Sequence, residues 1–146
     1  MDLAQLLTSI VPFVKTVGVA VDDIGRGTCT AHLPDRKEIQ NHLGTLHAGA
    51  AYTLGETASG GVVLSLFADQ VQKGGFIALK SAEVRHLKAA PGETRAQAQV
   101  VGDGKAIRAT FEDSGKVDFP VRVELYVGEL LTTELVYTWA VRAPRG

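Results

Sequence analysis

The chain has 146 residues, 45% of them hydrophobic, enough to build one continuous core, so a single domain over residues 1–146 is expected. Fifteen Lys and Arg stand against sixteen Asp and Glu, and the net charge of −1 excludes the broad positive field that holds nucleic acid or an anionic membrane without specificity. The lone Cys29 excludes an intramolecular disulfide, and the N-terminus lacks the basic start and long apolar run of a secretory signal, so a cytoplasmic location is expected.

In chain order, Leu3, Leu6, Leu7 and Ile10 follow a helical spacing that Pro12 ends, which predicts a short leading helix. Val17, Val19 and Val21 then alternate, as do Cys29, Ala31 and Leu33 beyond an expected turn from Asp22 to Gly27, which predicts two strands or one interrupted strand. A long helix is predicted over about Ala48 to Ala68. Nearly every side of it is apolar or small, and such a helix is buried. Its apolar core, Val62 to Leu66 with neighbours, is too short and too interrupted by Ser65 and Asp69 to span a bilayer. Gly55, Gly60 and Gly61 each cost about 1 kcal/mol relative to Ala in a helix interior. Side chains this small allow a sheet to close round the helix at short distance.

Two further strands are expected over Ile77–Leu87 and Arg95–Val101. Lys105–Ser114 fits a short helix slightly better than a strand. From Lys116 the alternation is clean. Val117, Phe119, Val121, Val123, Leu125 and Val127 share one face, and after a turn at Gly128 and Glu129 the return strand places Leu131, Leu135, Tyr137, Trp139 and Val141 on the core side, with Thr132, Glu134, Thr138 and Arg142 outside. No repeat, linker or low-complexity tract interrupts the chain. The expected class is α+β: an antiparallel sheet of five or six strands wrapped around one long central helix.

Glu56 is the only charged residue between Ile39 and Ala68. An ionised carboxylate buried without partners is prohibitively costly, so Glu56 must be hydrogen-bonded, protonated or beside a water-filled pocket. It is either a structural carboxylate paired with a strand residue such as Lys80 or Arg85, or a tuned base or nucleophile in a cleft. Gly49, Tyr52, Thr53, Ser59, Gly60 and Val63 share its helical face. Before the helix, the loop NHLGTLHAG carries Asn41, His42 and His47. The helix N-terminus leaves backbone N–H groups of Ala48, Gly49 and Ala50 unpaired and partly positive, which suits a carbonyl oxygen gaining negative charge. Asn41 and His47 can equally be turn and capping residues. His42 and His47, five apart and about 140° round a helix, lack the same-face spacing of zinc ligands, so neither metal nor cofactor is expected. No nucleophile elbow, P-loop or dinucleotide fingerprint occurs. Cys29 reads as a small core residue.

The motif NHLGTLHAG, followed by an acidic residue nine positions after its second histidine, resembles the signature of hotdog-fold acyl-CoA thioesterases of the phenylacetate-pathway type. The order of elements agrees along almost the whole chain. The resemblance implies a hotdog fold and thioester hydrolysis, with Glu56 as general base or nucleophile, Asn41 and His47 as loop residues of the site, and Ala48 as the residue whose N–H polarises the thioester carbonyl. It places the acyl group along the helix, near Gly49 and Tyr52. It also implies a homodimer, or a dimer of dimers, with sites at the interface. Many relatives have a glycine where this chain has Ala48 and Asp where it has Glu56. A strand hydroxyl of some relatives aligns near Leu79 and is absent here unless Ser81 substitutes. Arg85 and Lys88, in a basic cluster with Lys80 and Arg95, are expected at the phosphates of CoA. Two rivals are a hotdog 2-enoyl-CoA hydratase or dehydratase, whose typical proline-rich loop is missing, and a non-catalytic acyl-CoA binder.

Overall fold

Helix α1 (Leu3–Ile10) begins where Asp2 can cap it. Asp2 Oδ1 accepts from the Gln5 N–H at 2.8 Å and the Asp2 N–H donates to the Gln5 side chain at 3.2 Å, a reciprocal pair that satisfies two orphan donors. Pro12 ends α1 as expected, but it also opens a second short helix, α2 (Pro12–Val17), at a position where its missing N–H is no loss. Val17 is therefore helical rather than part of a strand. The structure, a computed structural model, describes residues 2–145.

Strands β1 (Ala20–Gly25) and β2 (Thr28–Leu33) form a hairpin whose reversal is confined to Arg26 and Gly27, the latter at φ +78°. Asp22 and Asp23, expected in the turn, lie instead in β1. A bulge between Val21 and Asp23 lets both point out, and charge on a free edge strand discourages unwanted pairing. A short 3₁₀ turn (Lys37–Ile39) and the Asn41–His47 loop lead into α3 (Ala48–Gln72). Then follow β3 (Phe76–His86), β4 (Thr94–Val100), α4 (Gly104–Ser114), β5 (Lys116–Val127) and β6 (Leu130–Arg142). The ambiguous segment is thus helical. Asp103 caps α4, its Oδ1 accepting from the Lys105 N–H at 3.0 Å.

The six strands form one antiparallel sheet in the order β1-β2-β4-β5-β6-β3, and α3 lies across its inner face. The alternation read from the sequence sets this face: Ala31, Leu33, Ala96, Ala98, Phe119, Val121, Val123, Leu125, Leu135, Tyr137 and Val141 pack against Leu54, Ala58, Val62, Val63 and Phe67. The helix glycines mark where the sheet comes closest. A Cβ at Gly55 would collide with the Tyr137 hydroxyl, and one at Gly61 with Cys29 Sγ.

Two further expectations need correction. Thr132, placed outside, is fully buried, whereas Leu131 is only partly so. Leu125 pairs with Thr133 but Tyr126 with Leu131, so Thr132 is the extra residue of a bulge that shifts the alternation, and its hydroxyl donates to the Leu125 carbonyl at 3.2 Å. Helix α3 also runs past Ala68 to Gln72, with a break in helical geometry at Phe67 (φ −137°, ψ 22°). Arg108 of α4 supports the extension. It donates to the Leu66 carbonyl at 2.9 Å and grips both oxygens of Asp69 at 2.7 Å, so the charge that follows Ala68 is paired.

Candidate active site

The loop before α3 is organised by Asn41. Its Oδ1 accepts from the N–H groups of Leu43 at 2.9 Å and Thr45 at 3.1 Å, and its Nδ2 donates to Thr45 Oγ1 at 3.0 Å and more weakly to the Leu46 carbonyl at 3.4 Å. These are the bonds of a turn-forming asparagine. Only the long contact to Leu46 leaves an N–H easily redirected to a ligand.

His47 is the N-cap of α3. Its Nδ1 accepts from the Gly49 N–H at 2.8 Å, which leaves the proton of the neutral ring on Nε2, facing outward. Of the three N–H groups expected free at the helix start, Gly49's is therefore taken. Those of Ala48 and Ala50 have no partner among the described residues, and Ala48 is exposed, so its N–H is the donor that the positive end of α3 presents to solvent.

Glu56 stands two turns further along. It shares an open stripe of α3 with Gly49, Tyr52 and Thr53, all exposed or only partly buried, whereas Ser59, Gly60 and Val63, expected on the same face, are buried. Its carboxylate has no hydrogen bond or ion pair among the described residues. Neither expected partner reaches it: Lys80 is held by Asp118 at 2.7 Å, and Arg85 stands on the outward face of β3 opposite Glu134. Desolvation pushes the Glu56 carboxyl above the usual glutamate range, with nothing near enough to pull it back. The same carboxylate, after burial, helps raise the Tyr52 phenol.

Asn41, Ala48 and Lys88 line one cavity of about 330 Å³ together with Leu46, His86 and Thr133. Glu56 is not among its walls. Glu56 lies eight positions after Ala48, about 12 Å of backbone rise along the axis. Ser81 lies on the outward face of β3, opposite Thr138 and away from α3. In the expected basic cluster, Lys80 is paired and Arg95 stacks over the Tyr126 ring at 5.5 Å, which leaves Arg85 and Lys88 without an ion pair among the described residues. Sequence reasoning did not find that Tyr137 and Trp139 of β6 reach the Glu56 turn. The only signal was a hydroxyl and an indole on the core face of a strand, each needing a partner.

A family model for DUF4442, a domain of unknown function, matches residues 2–141. The chain belongs to the DUF4442 family. No curated protein matches it. Among solved structures, this DUF4442 chain is similar to a Pseudomonas aeruginosa protein of unknown function described as a probable thioesterase, with TM-score 0.82 and 20% identity over 97% of this chain and 94% of the other. It is also similar to a thioesterase family protein from Silicibacter pomeroyi, with TM-score 0.79 and 18% identity over 98% and 100%. A variant of a thioesterase enzyme from Staphylococcus aureus has TM-score 0.72 and 21% identity over 90% and 99%. At these identities the likeness speaks for fold. The DUF4442 chain has the hotdog fold, its six-stranded antiparallel sheet wrapped round α3.

Proposed function

We propose that this protein is a thioesterase that hydrolyses an acyl-CoA to the free acid and CoA, with Glu56 as the general base that activates water or as the nucleophile itself. The observation that carries the reading is the Glu56 carboxyl: partly buried, without a partner among the described residues and drawn toward its neutral form, on the open face of the central helix. A carboxyl raised above its ordinary range by desolvation is a better proton acceptor than a solvated one. The names of the hotdog neighbours point the same way.

In the proposed reaction the Ala48 N–H receives the thioester carbonyl oxygen at the positive end of α3. Glu56 takes a proton from water as the water oxygen bonds to the carbonyl carbon, which gives a tetrahedral oxyanion. The C=O then re-forms, the C–S bond breaks and CoA leaves as thiolate. A thiolate leaves readily, so no general acid is required. His47 and Asn41 hold the loop, Arg85 and Lys88 meet the CoA phosphates, and Gly49 and Tyr52 border the acyl group.

Glu56 does not line the cavity beside Ala48 of its own chain, and the hotdog resemblance implies a site that takes its helix acid from one copy and its loop groups from another. The site is therefore proposed to form between two copies joined along the free edge of β3, with Glu56 of one beside the Asn41–Ala48 loop of the other. The assembly is a homodimer, or a dimer of such dimers, working in the cytoplasm.

Free-thiol release across short, long, branched and aryl acyl-CoAs tests the reading. Wild type is expected to turn over at least one class, and Glu56→Gln to lower kcat by about 100-fold or more while acyl-CoA still binds. Saturable binding with no thiol release would instead identify a non-catalytic binder. Hydration of a 2-enoyl-CoA without CoA release would identify a hydratase.

A further inference from the structure

With no side-chain partner among the described residues, the Glu56 carboxylate is placed by the backbone turn that carries it. Two side chains on the inner face of β6, two residues apart, reach that turn. Tyr137 Oη donates to the Tyr52 carbonyl at 2.7 Å. By helical geometry this carbonyl is the acceptor for the Glu56 N–H. Trp139 Nε1 donates to Ser59 Oγ at 2.9 Å, and the Ser59 hydroxyl donates to the carbonyl of Glu56 itself at 2.8 Å. Both backbone groups of Glu56 are thus tied to β6, one through a shared acceptor and the other through Ser59.

The arrangement is built for this contact. Tyr137 and Ser59 are fully buried, so water does not compete for these bonds. The phenol can enter the helix only because residue 55 lacks a Cβ, and the Tyr52 ring closes over it edge-on, with ring centroids 5.4 Å apart. A buried tyrosine needs one hydrogen-bond partner, and a loop carbonyl would serve. Here that bond is combined with a second one from the next inward residue, and both converge on the turn that presents one carboxylate.

We propose that Tyr137 and the Trp139–Ser59 pair are positioning residues that hold Glu56 at the reacting thioester. This rests on the reading of Glu56 as the base. Tyr137→Phe and Ser59→Ala remove one hydroxyl each with little change of volume. Each is expected to lower kcat for acyl-CoA hydrolysis about tenfold, since small misplacements of a reacting group are costly, with KM within about twofold. Each should also move the titration midpoint of the Glu56 carboxyl, read by ¹³C NMR. In the Glu56→Gln background, Tyr137→Phe should change the residual rate no further, because the group it positions is gone.

Gly55→Ala, which drives a methyl group into the phenol, should lower both stability and kcat. Combining it with Tyr137→Phe should recover part of the stability, the ring carbons still lying close to the new methyl group, but not kcat. A fall in Tm with kcat and the Glu56 midpoint unchanged would show that Tyr137 and Ser59 are merely structural, and so overturn the proposal. If Glu56→Gln is itself active, the reading of the base fails, and the positioning role with it. Loss of activity in Glu56→Gln with full activity in Tyr137→Phe and Ser59→Ala overturns the positioning role alone.

Discussion

Arg108 grips Asp69 through two hydrogen bonds of 2.7 Å, joining α4 to the last turn of α3, 39 residues earlier in the chain. The same guanidinium stacks over Phe67 at 5.2 Å and Phe111 at 5.6 Å and donates to the carbonyl of Leu66 beside the break at Phe67. Arg108→Ala is therefore expected to destabilise by about 1–2 kcal/mol, most of it from lost packing and hydrogen bonds, since solvent screens this partly exposed pair. Arg108 also holds the Asp69 carboxyl well below the usual carboxylate range. A lowered folded pKa adds stability above the unfolded value and loses it as pH falls through the folded one. The gap between the denaturant midpoints of wild type and variant should therefore be widest at neutral pH and narrow in strong acid, where the part that remains is the packing on Phe67 and Phe111 and the bond to Leu66.

Glu56 has the opposite sign. Its carboxyl is raised in the folded state, so its contribution to stability is complete below the unfolded glutamate pKa and is lost as pH rises through the folded one. Glu56→Gln should accordingly be more thermostable than wild type at pH 7 to 8, with the gain vanishing toward acid. Paired Tm measurements across pH check this. The acid limb of kcat/KM in the wild type should lie above the ordinary glutamate range for the same reason. A variant less stable than wild type at neutral pH would mark Glu56 as a structural carboxylate.

A shared site predicts complementation. Glu56→Ala and Asn41→Ala, each nearly inactive alone, should recover activity when unfolded and refolded together. Random pairing makes half the molecules heterodimers with one intact site, so recovery should approach about a quarter of wild-type activity. An active monomer in sedimentation analysis would end the model. So would verified heterodimers without recovery.

Arg85 and Lys88 carry charge with no ion pair among the described residues, and Lys88 lines the cavity beside Ala48. Neutralising either should raise KM for acyl-CoA several-fold with kcat little changed, and the effect should shrink as salt rises. Lys80→Gln is the control. Its ammonium is already bound by Asp118, so KM should stay put.

Much of this architecture was legible in the chain itself. The strand faces of β5 and β6 and the enclosure of α3 follow from local periodicity, since side-chain direction repeats every two residues in a strand and every 3.6 in a helix. Glu56 stood out as one charge in an apolar helix, and helical spacing gave Gly49, Tyr52 and Thr53 of its open face, but Ser59, Gly60 and Val63, on the same spacing, are buried because α1 and β6 close over that end.

What the tertiary structure decided depends on residues far apart in sequence. Helix α3 continues past Ala68 because Arg108 pairs with Asp69, and Thr132 is buried because a bulge admits one extra residue in β6. The roles of the loop were open until its bonds were seen: His47 takes the Gly49 N–H, and Asn41 takes the N–H groups of Leu43 and Thr45. Tyr137 reaches Tyr52 across 85 residues of chain, and Gly55 makes room for it. Periodicity tells each side chain which face it is on. Which side chain it meets there is set by strand register and by the distance at which sheet and helix close, and neither is a local property of the chain.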